Sequence, residues 1–126
     1  MEKLSVTVST IGRFHAFNLV QQLQQQDCLH SFISAYPKFA VTRYGDYGID
    51  GRKYYSISWL NIIQRIWRKL PIFIKSDINP QLWFHERFDL GARRYISDES
   101  NVFVGWSSLC LESMRRAKDL GAITIV

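Results

Sequence analysis

The sequence predicts an α/β fold, a parallel β-sheet with helices on both faces, and three observations carry that expectation. A strand-period stretch at residues 4–8 gives way to a helix-period stretch over 15–26 and then to a second apolar run over 29–35. Strand, helix and strand within about 30 residues make one βαβ unit, whose crossover is right-handed and whose strands run parallel. Farther on, Val102-Phe103-Val104 is wholly apolar, as suits a strand covered on both faces. A helical segment and a further apolar run, Ala122 to Val126, repeat the theme at the tail.

The elements follow in order. Leu4, Val6 and Val8 alternate with Ser5, Thr7 and Ser9, the period of a strand. Thr10 to Phe14 breaks that pattern around Gly12. Over His15 to Gln26 the apolar residues Ala16, Leu19, Val20 and Leu23 fall at i, i+3, i+4 and i+7, and five glutamines occupy the wet face. Asp27 and Cys28 end this helix, and Leu29 to Ala35 forms the second strand before Tyr36-Pro37. Residues 36–56 carry aromatics, glycines and aspartates and read as a long loop, with room for a short strand near Phe39 to Arg43. Ile57 to Leu70 reads as a helix with Trp59, Ile63, Ile66 and Leu70 on one face, stopped by Pro71. Asn79-Pro80 is a cap with proline at the first helical position. It opens a helix to about Tyr95 whose apolar stripe is Phe84, Phe88, Ala92 and Tyr95. After Val104, Gly105-Trp106-Ser107-Ser108 turns into a helix with Cys110, Met114 and Ala117 inward and Arg115, Arg116 and Lys118 outward. Leu120-Gly121 is a glycine stop, and Ala122 to Val126 reads as another buried strand. A buried strand with nothing after it to cover the sheet edge reads as a cut or incomplete domain.

Composition narrows the classes. A length of 126 residues fits one domain or one piece of a larger protein. With 47% hydrophobic and 21% charged residues, the chain is a globular domain and not a disordered tail. No apolar stretch approaches the roughly 18 residues of a membrane span. Met1-Glu2-Lys3 leads straight into the first strand, so no secretory signal is expected. Sixteen Lys and Arg against eleven Asp and Glu permit an anionic partner without identifying one. Cys28 and Cys110 stand far apart, each without a neighbouring thiol, which excludes a disulfide framework or zinc ribbon and suits reduced thiols in a cytoplasm.

Several segments carry or imitate chemistry. Gly12, between the first strand and first helix, would let backbone approach a ligand, and the amides of a helix start attract phosphate. The dinucleotide fingerprint needs three glycines, whereas Arg13, Phe14 and His15 follow here, so NAD binding by that motif is disfavoured; the alternative is a glycine that serves only the turn. His15 would then bind a substrate oxygen or simply start the helix. Gly105-Trp106-Ser107-Ser108-Leu109 nearly matches a nucleophile elbow. Leu109 stands at the second glycine position, and His15, His30 and His85 all precede Ser107, the reverse of the hydrolase order. Ser107 or Ser108 is better read as a helix N-cap, at the end of a strand where hydroxyls and amides can still meet a ligand. Asp46 to Gly51 imitates a calcium loop but puts Gly48 and Ile57 at ligand positions, so it reads as a turn. His85-Glu86-x-x-Asp89 lacks the second histidine of a zinc protease helix, and these carboxylates, with Asp98, Glu99 and Glu112, read as solvated helix charges. Arg65, Trp67, Arg68 and Lys69 followed by Ile72-Phe73-Ile74-Lys75 fit either an interfacial membrane patch or a core helix with snorkelling basic residues. The basic residues are scattered and match no nucleic-acid module, so no nucleic acid is expected.

Taken together, Gly12-Arg13-Phe14-His15-Ala16-Phe17, then Leu19-Val20 and Leu23, and Ser34-Ala35-Tyr36-Pro37 resemble the N-terminal start of family 4 glycosyltransferases. Phe84 to Ala92, Val102 to Ser108, and Ala117-Lys118-x-x-Gly121-Ala122-Ile123-Thr124-Ile125-Val126 are similar to the same N-terminal domain. The resemblance covers most of the chain outside residues 38–80 and rests on ordered pieces, with no single decisive signature. It implies a GT-B architecture, in which two Rossmann-like domains face a cleft, the N-terminal one receiving the acceptor and the C-terminal one the nucleotide-sugar. It implies that Gly12, Arg13, Phe14 and His15 line that cleft near the donor phosphates, and that Trp106, Ser107 and Ser108 line it too. It implies no cofactor and no metal, and transfer of a sugar from a nucleotide-sugar to a glycan or lipid-linked acceptor, as in polysaccharide biosynthesis. The family often has two adjacent glycines in the first loop, where Ile11-Gly12 supplies one. The donor-binding domain is missing from these 126 residues, so this chain alone is expected to be inactive. The expected setting is cytoplasmic, at the inner face of the membrane, with peripheral contact through Trp59 to Lys75. Other readings remain open: a noncatalytic domain that pairs with a partner chain, a peripheral membrane module, and, more distantly, a serine hydrolase.

Overall fold

Five strands join edge to edge in one sheet of order β3-β2-β1-β4-β5, and every neighbouring pair is parallel. They are β1 (Val6–Thr10), β2 (Leu29–Ser34), β3 (Tyr54–Ser56), β4 (Val102–Gly105) and β5 (Ile123–Ile125). The helices are α1 (Ala16–Gln25), α2 (Ser58–Lys69), α3 (Gln81–Arg93) and α4 (Leu111–Asp119), and a short 3-10 turn, Gly51–Lys53, leads into β3. This is a computed structural model that describes residues 3–11, 16–35, 51–71, 73, 80–106 and 110–126. The architecture is the Rossmann-like α/β sheet with helices on both faces that the periodicity predicts.

Among the described residues the two faces are covered unequally. On one, α1 lays Ala16, Phe17 and Val20 over Val6, Val8, Leu29, Phe32, Tyr54 and Val102. Phe32 stands at its centre, edge-on to Phe17 at 5.3 Å and to Tyr54 at 5.4 Å. On the other face, Ile33 and Phe103 meet Leu60 of α2, Phe84, Phe88 and Ala92 of α3, and Ala117 of α4. Double coverage also explains the serines and threonines of β1. Thr7, Ser9 and Thr10 are fully buried, and Thr7 is satisfied by a 3.0 Å hydroxyl pair with Ser31.

Several local expectations hold. The stripe Phe84, Phe88 and Ala92 is buried. Tyr95, the fourth residue of that stripe, instead stacks on Tyr55 at 4.7 Å near the surface. Pro80, expected at the first helical position, is instead the N-cap residue one position before α3, and its carbonyl accepts from the Phe84 amide at 2.9 Å. Gly121 ends α4 at φ +90. There the Ala122 amide donates to the Ala117 carbonyl and the Gly121 amide to the Lys118 carbonyl, the paired bonds of a Schellman stop.

Four expectations need correction. Tyr54–Ser56 is not loop but β3, held parallel to Phe32, Ile33 and Ser34. The suggested strand near Phe39 to Arg43 lies outside the described residues, as does Asn79. Ala122 to Val126 is not a buried strand: Ile123, Ile125 and Val126 are exposed, because β5 is the sheet edge and α4 shields little of it. The inward side of α2 is formed by Leu60 and Trp67, with Ile57 just before it, while Trp59, Ile63 and Ile66 face outward. Asp89 is not a solvated helix charge. Its buried carboxylate accepts the Glu112 amide at 2.6 Å and the Ser113 amide at 2.9 Å, and Ser113 Oγ donates to the Asp89 carbonyl at 3.1 Å. The start of α4 is therefore capped from α3, and its own N-cap residue, Cys110, makes no side-chain cap bond.

Candidate functional site: the crevice at the ends of β1 and β4

The site is set by a reversal in the sheet. From β1 the chain crosses through α1 to β2 on one side, and from β4 it crosses through α4 to β5 on the other. α1 and α4 lie on opposite faces. Where neighbouring strands send their crossovers in opposite directions, a crevice opens beyond their carboxyl ends, and ligands of open α/β sheets bind there. Here those neighbours are β1 and β4, in register from Val6 with Val102 to Ser9 with Gly105.

The described residues at the carboxyl ends of these strands are Ser9 and Thr10 of β1 with Ile11 just after it, and Gly105 of β4 with Trp106 and Cys110 beyond it. Gly105 is there for space. A Cβ on it would lie 2.6 Å from Cys110 Cβ and 2.9 Å from both Cys110 Sγ and the Phe103 ring, so only glycine lets the chain fold back into α4. Trp106, half-buried, packs against both hydrophobic layers and so forms a wall at the sheet end. Cys110 is buried, and desolvation, then the nearby Asp89 carboxylate, pushes its thiol above the ordinary range. Such a thiol is a packing group and a poor nucleophile.

Among the described residues, the buried side-chain oxygens without a hydrogen-bond partner are Ser9 Oγ and Thr10 Oγ1. Both sit at the carboxyl end of β1, on opposite faces of the strand. A buried hydroxyl without a partner is costly, and clustering of two at the crevice gives that end of the sheet unused hydrogen-bonding capacity. In the sequence Ser9 looks like the wet half of an alternating strand and Thr10 like the start of the break after it. Only the double coverage of the sheet shows that they are buried.

Of the residues predicted for the site, Trp106 is described: it follows β4 directly and packs, half-buried, against both layers. Gly12, Arg13, Phe14 and His15, and Ser107 and Ser108, lie outside the described residues. Their described flanks, Ile11 with Ala16 and Trp106 with Cys110, belong to adjacent strands and their following helices, so both predicted segments join the sheet at the same crevice. Of the other two histidines, His30 lies at the start of β2, where its ring pairs with Ser97 Oγ at 3.2 Å, and His85, on α3, lines a cavity of about 590 Å³ with Asp89 and Cys110. The 46–50 turn is outside the described residues. Among the described residues, no three His, Cys, Asp or Glu side chains are grouped to hold a metal ion. At the other end of the sheet, the Lys3 ammonium bonds to the Asp27 carboxylate, lowering the Asp27 pKa and raising that of Lys3.

Among the described residues, the carboxyl ends of β1 and β4 thus bring together a half-buried tryptophan and two buried hydroxyls without a partner. No protein-family model, no curated protein and no solved structure matches the chain, so its chemistry is read from its own residues.

Proposed function

We propose that this chain is the acceptor-side domain of a glycosyltransferase, which moves a sugar from a nucleotide-sugar to a glycan or lipid-linked acceptor. The observation that carries this reading is the adjacency of β1 and β4 in register, which supports a single crevice served by both the 12–15 and the 107–108 segments. The resemblance of those segments to family 4 glycosyltransferases supplies the reaction class. In this reading, Arg13 and His15 hold the acceptor and offset negative charge developing on the donor phosphates, and Gly12 lets backbone amides come close. Trp106 offers an apolar wall for a sugar ring, and Ser107 and Ser108 offer hydroxyls and amides to its oxygens. Positioning and electrostatic stabilisation of this kind supply much of an enzyme's barrier reduction. The nucleotide-sugar binds a second, donor-binding domain across the cleft.

The test is calorimetric titration of the chain with oligosaccharides, detergent-solubilised lipid-linked sugars and a panel of nucleotide-sugars. Acceptors are expected to bind and nucleotide-sugars alone are not. Thr10→Val, which removes one hydroxyl and preserves shape, should weaken acceptor binding about tenfold if that hydroxyl is used, the equivalent of 1.4 kcal/mol. Nucleotide-sugar binding or turnover by the chain alone, or no acceptor binding, would overturn the proposal.

A further inference from the structure

The outward side of α2 is an apolar stripe. Trp59, Ile62, Ile63 and Ile66 recur at i, i+3, i+4 and i+7, and they are 47%, 56%, 37% and 57% exposed. The helix buries Leu60 and packs Trp67 on a neighbouring side, about a quarter turn away, so most of the stripe's surface stays outside the core. Arg65 and Lys69 border the stripe on its other side, exposed, Arg68 lies on the far side of the helix, and α2 contains no acidic residue. Phe73, 80% exposed, extends the apolar surface past the helix end. Among the described residues no helix is long and apolar enough to cross a membrane.

Trp59 also lines a groove of about 660 Å³ on the outer surface of the helix layer. Arg87 and Arg93 of α3, Arg94 just past its end and Arg116 of α4 line the same groove, and no carboxylate is among its lining residues. Arg93 is 3.8 Å from Glu112, a loose and exposed pair. Four guanidinium groups beside a Trp-Ile stripe combine anion recognition with an apolar insertion surface, and each guanidinium can grip phosphate through paired N–H donors.

We propose that the outer face of α2 and the adjoining arginine groove dock on an anionic lipid surface. The stripe enters the boundary between headgroups and acyl chains, where tryptophan is favoured. Arg87, Arg93, Arg94 and Arg116 take lipid phosphates. The charge pattern favours a membrane over a protein groove, because basic groups border the stripe and α2 has no acid to set a register with a partner. It favours a membrane over nucleic acid because isoleucine offers bases no stacking platform. This contact is separate from the β1–β4 crevice and does not rest on glycosyl transfer.

The test is flotation of the full chain with vesicles of phosphatidylcholine plus phosphatidylglycerol and with vesicles of phosphatidylcholine alone. Binding is expected to the anionic vesicles only and to fall with salt. Arg94→Gln with Arg116→Gln should weaken it about 30-fold, taking about fivefold per basic residue near the surface. Ile62→Ser with Ile66→Ser should abolish flotation while leaving the circular dichroism and melting temperature near those of the parent, since both side chains are exposed. Equal binding to both vesicle types, no binding to either, or unchanged binding in either variant would overturn the proposal. So would a dimer in solution that the Ile62→Ser, Ile66→Ser variant converts to monomer, because the stripe would then be an interface between copies of this chain.

Discussion

Asp89 is one buried residue whose removal should be felt in two helices. Its carboxylate takes the Glu112 and Ser113 amides at the start of α4, and its own carbonyl takes the Ser113 hydroxyl. Asp89→Ala leaves two amides of the first turn without their acceptor. Loss of a side-chain cap costs about 1 kcal/mol, and an unmet buried donor about 1–3 kcal/mol. The Ser113 amide is deep and the Glu112 amide only partly covered, so the expected loss is about 2–4 kcal/mol. Asp89→Asn keeps one acceptor oxygen and should lose roughly half as much. Urea unfolding followed by circular dichroism measures this as a lower midpoint at constant slope. A loss under about 0.5 kcal/mol for Asp89→Ala would refute the reasoning, for that is the range of an ordinary surface substitution. Equal losses in Asp89→Asn and Asp89→Ala would refute it too, because one retained oxygen should hold one amide.

Two other outcomes follow from the rim of the crevice. Gly105→Ala should destabilise the domain by about 1–3 kcal/mol through overpacking, since its Cβ would meet Cys110 Cβ at 2.6 Å; Gly105→Ala with Cys110→Gly, measured by the same unfolding, should recover part of that loss. For Cys110, whose folded pKa is raised by burial and by Asp89, the folded state keeps its proton where the unfolded state has released it. Its contribution is therefore complete below the unfolded thiol pKa of about 8.5 and is lost as pH rises above it. Unfolding midpoints compared at neutral pH and above pH ~9 should fall more in the parent than in Cys110→Ala, and an identical fall in the two would remove the thiol from the account.

How far the sequence discloses this molecule depends on what each element is read from. The change from period 2 to period 3.6 around Gly12 is local information, and β1, α1 and β2 follow from it within a residue or two. Gly121 and Pro80 are likewise legible, because a left-handed stop and a fixed φ are properties of single residues. β3 is not legible. Tyr54-Tyr55-Ser56 is too short for a pattern and becomes a strand by pairing with β2. In α2 the periodicity has two solutions, since Ile57, Leu60 and Trp67 are as apolar as Trp59, Ile63 and Ile66. Packing chooses between them: Gly91 on α3 leaves room for Ile57, whose Cδ1 would be 3.0 Å from a Cβ there. From periodicity alone the candidate site was legible only as two separate loops, and it was the resemblance that assigned both to one cleft. Only the strand order makes β1 and β4 neighbours, and only burial separates Ser9 and Thr10 from an ordinary solvent-facing strand edge.

The two sides of the crevice are held by different kinds of force. On the β4 side Gly105 lies close against Cys110 and the start of α4 is held by Asp89. On the β1 side, among the described residues, α1 rests on the sheet through three buried side chains, Ala16, Phe17 and Val20. Hydrogen bonds are directional and fix the start of α4 in orientation, whereas the apolar burial that holds α1 is non-directional.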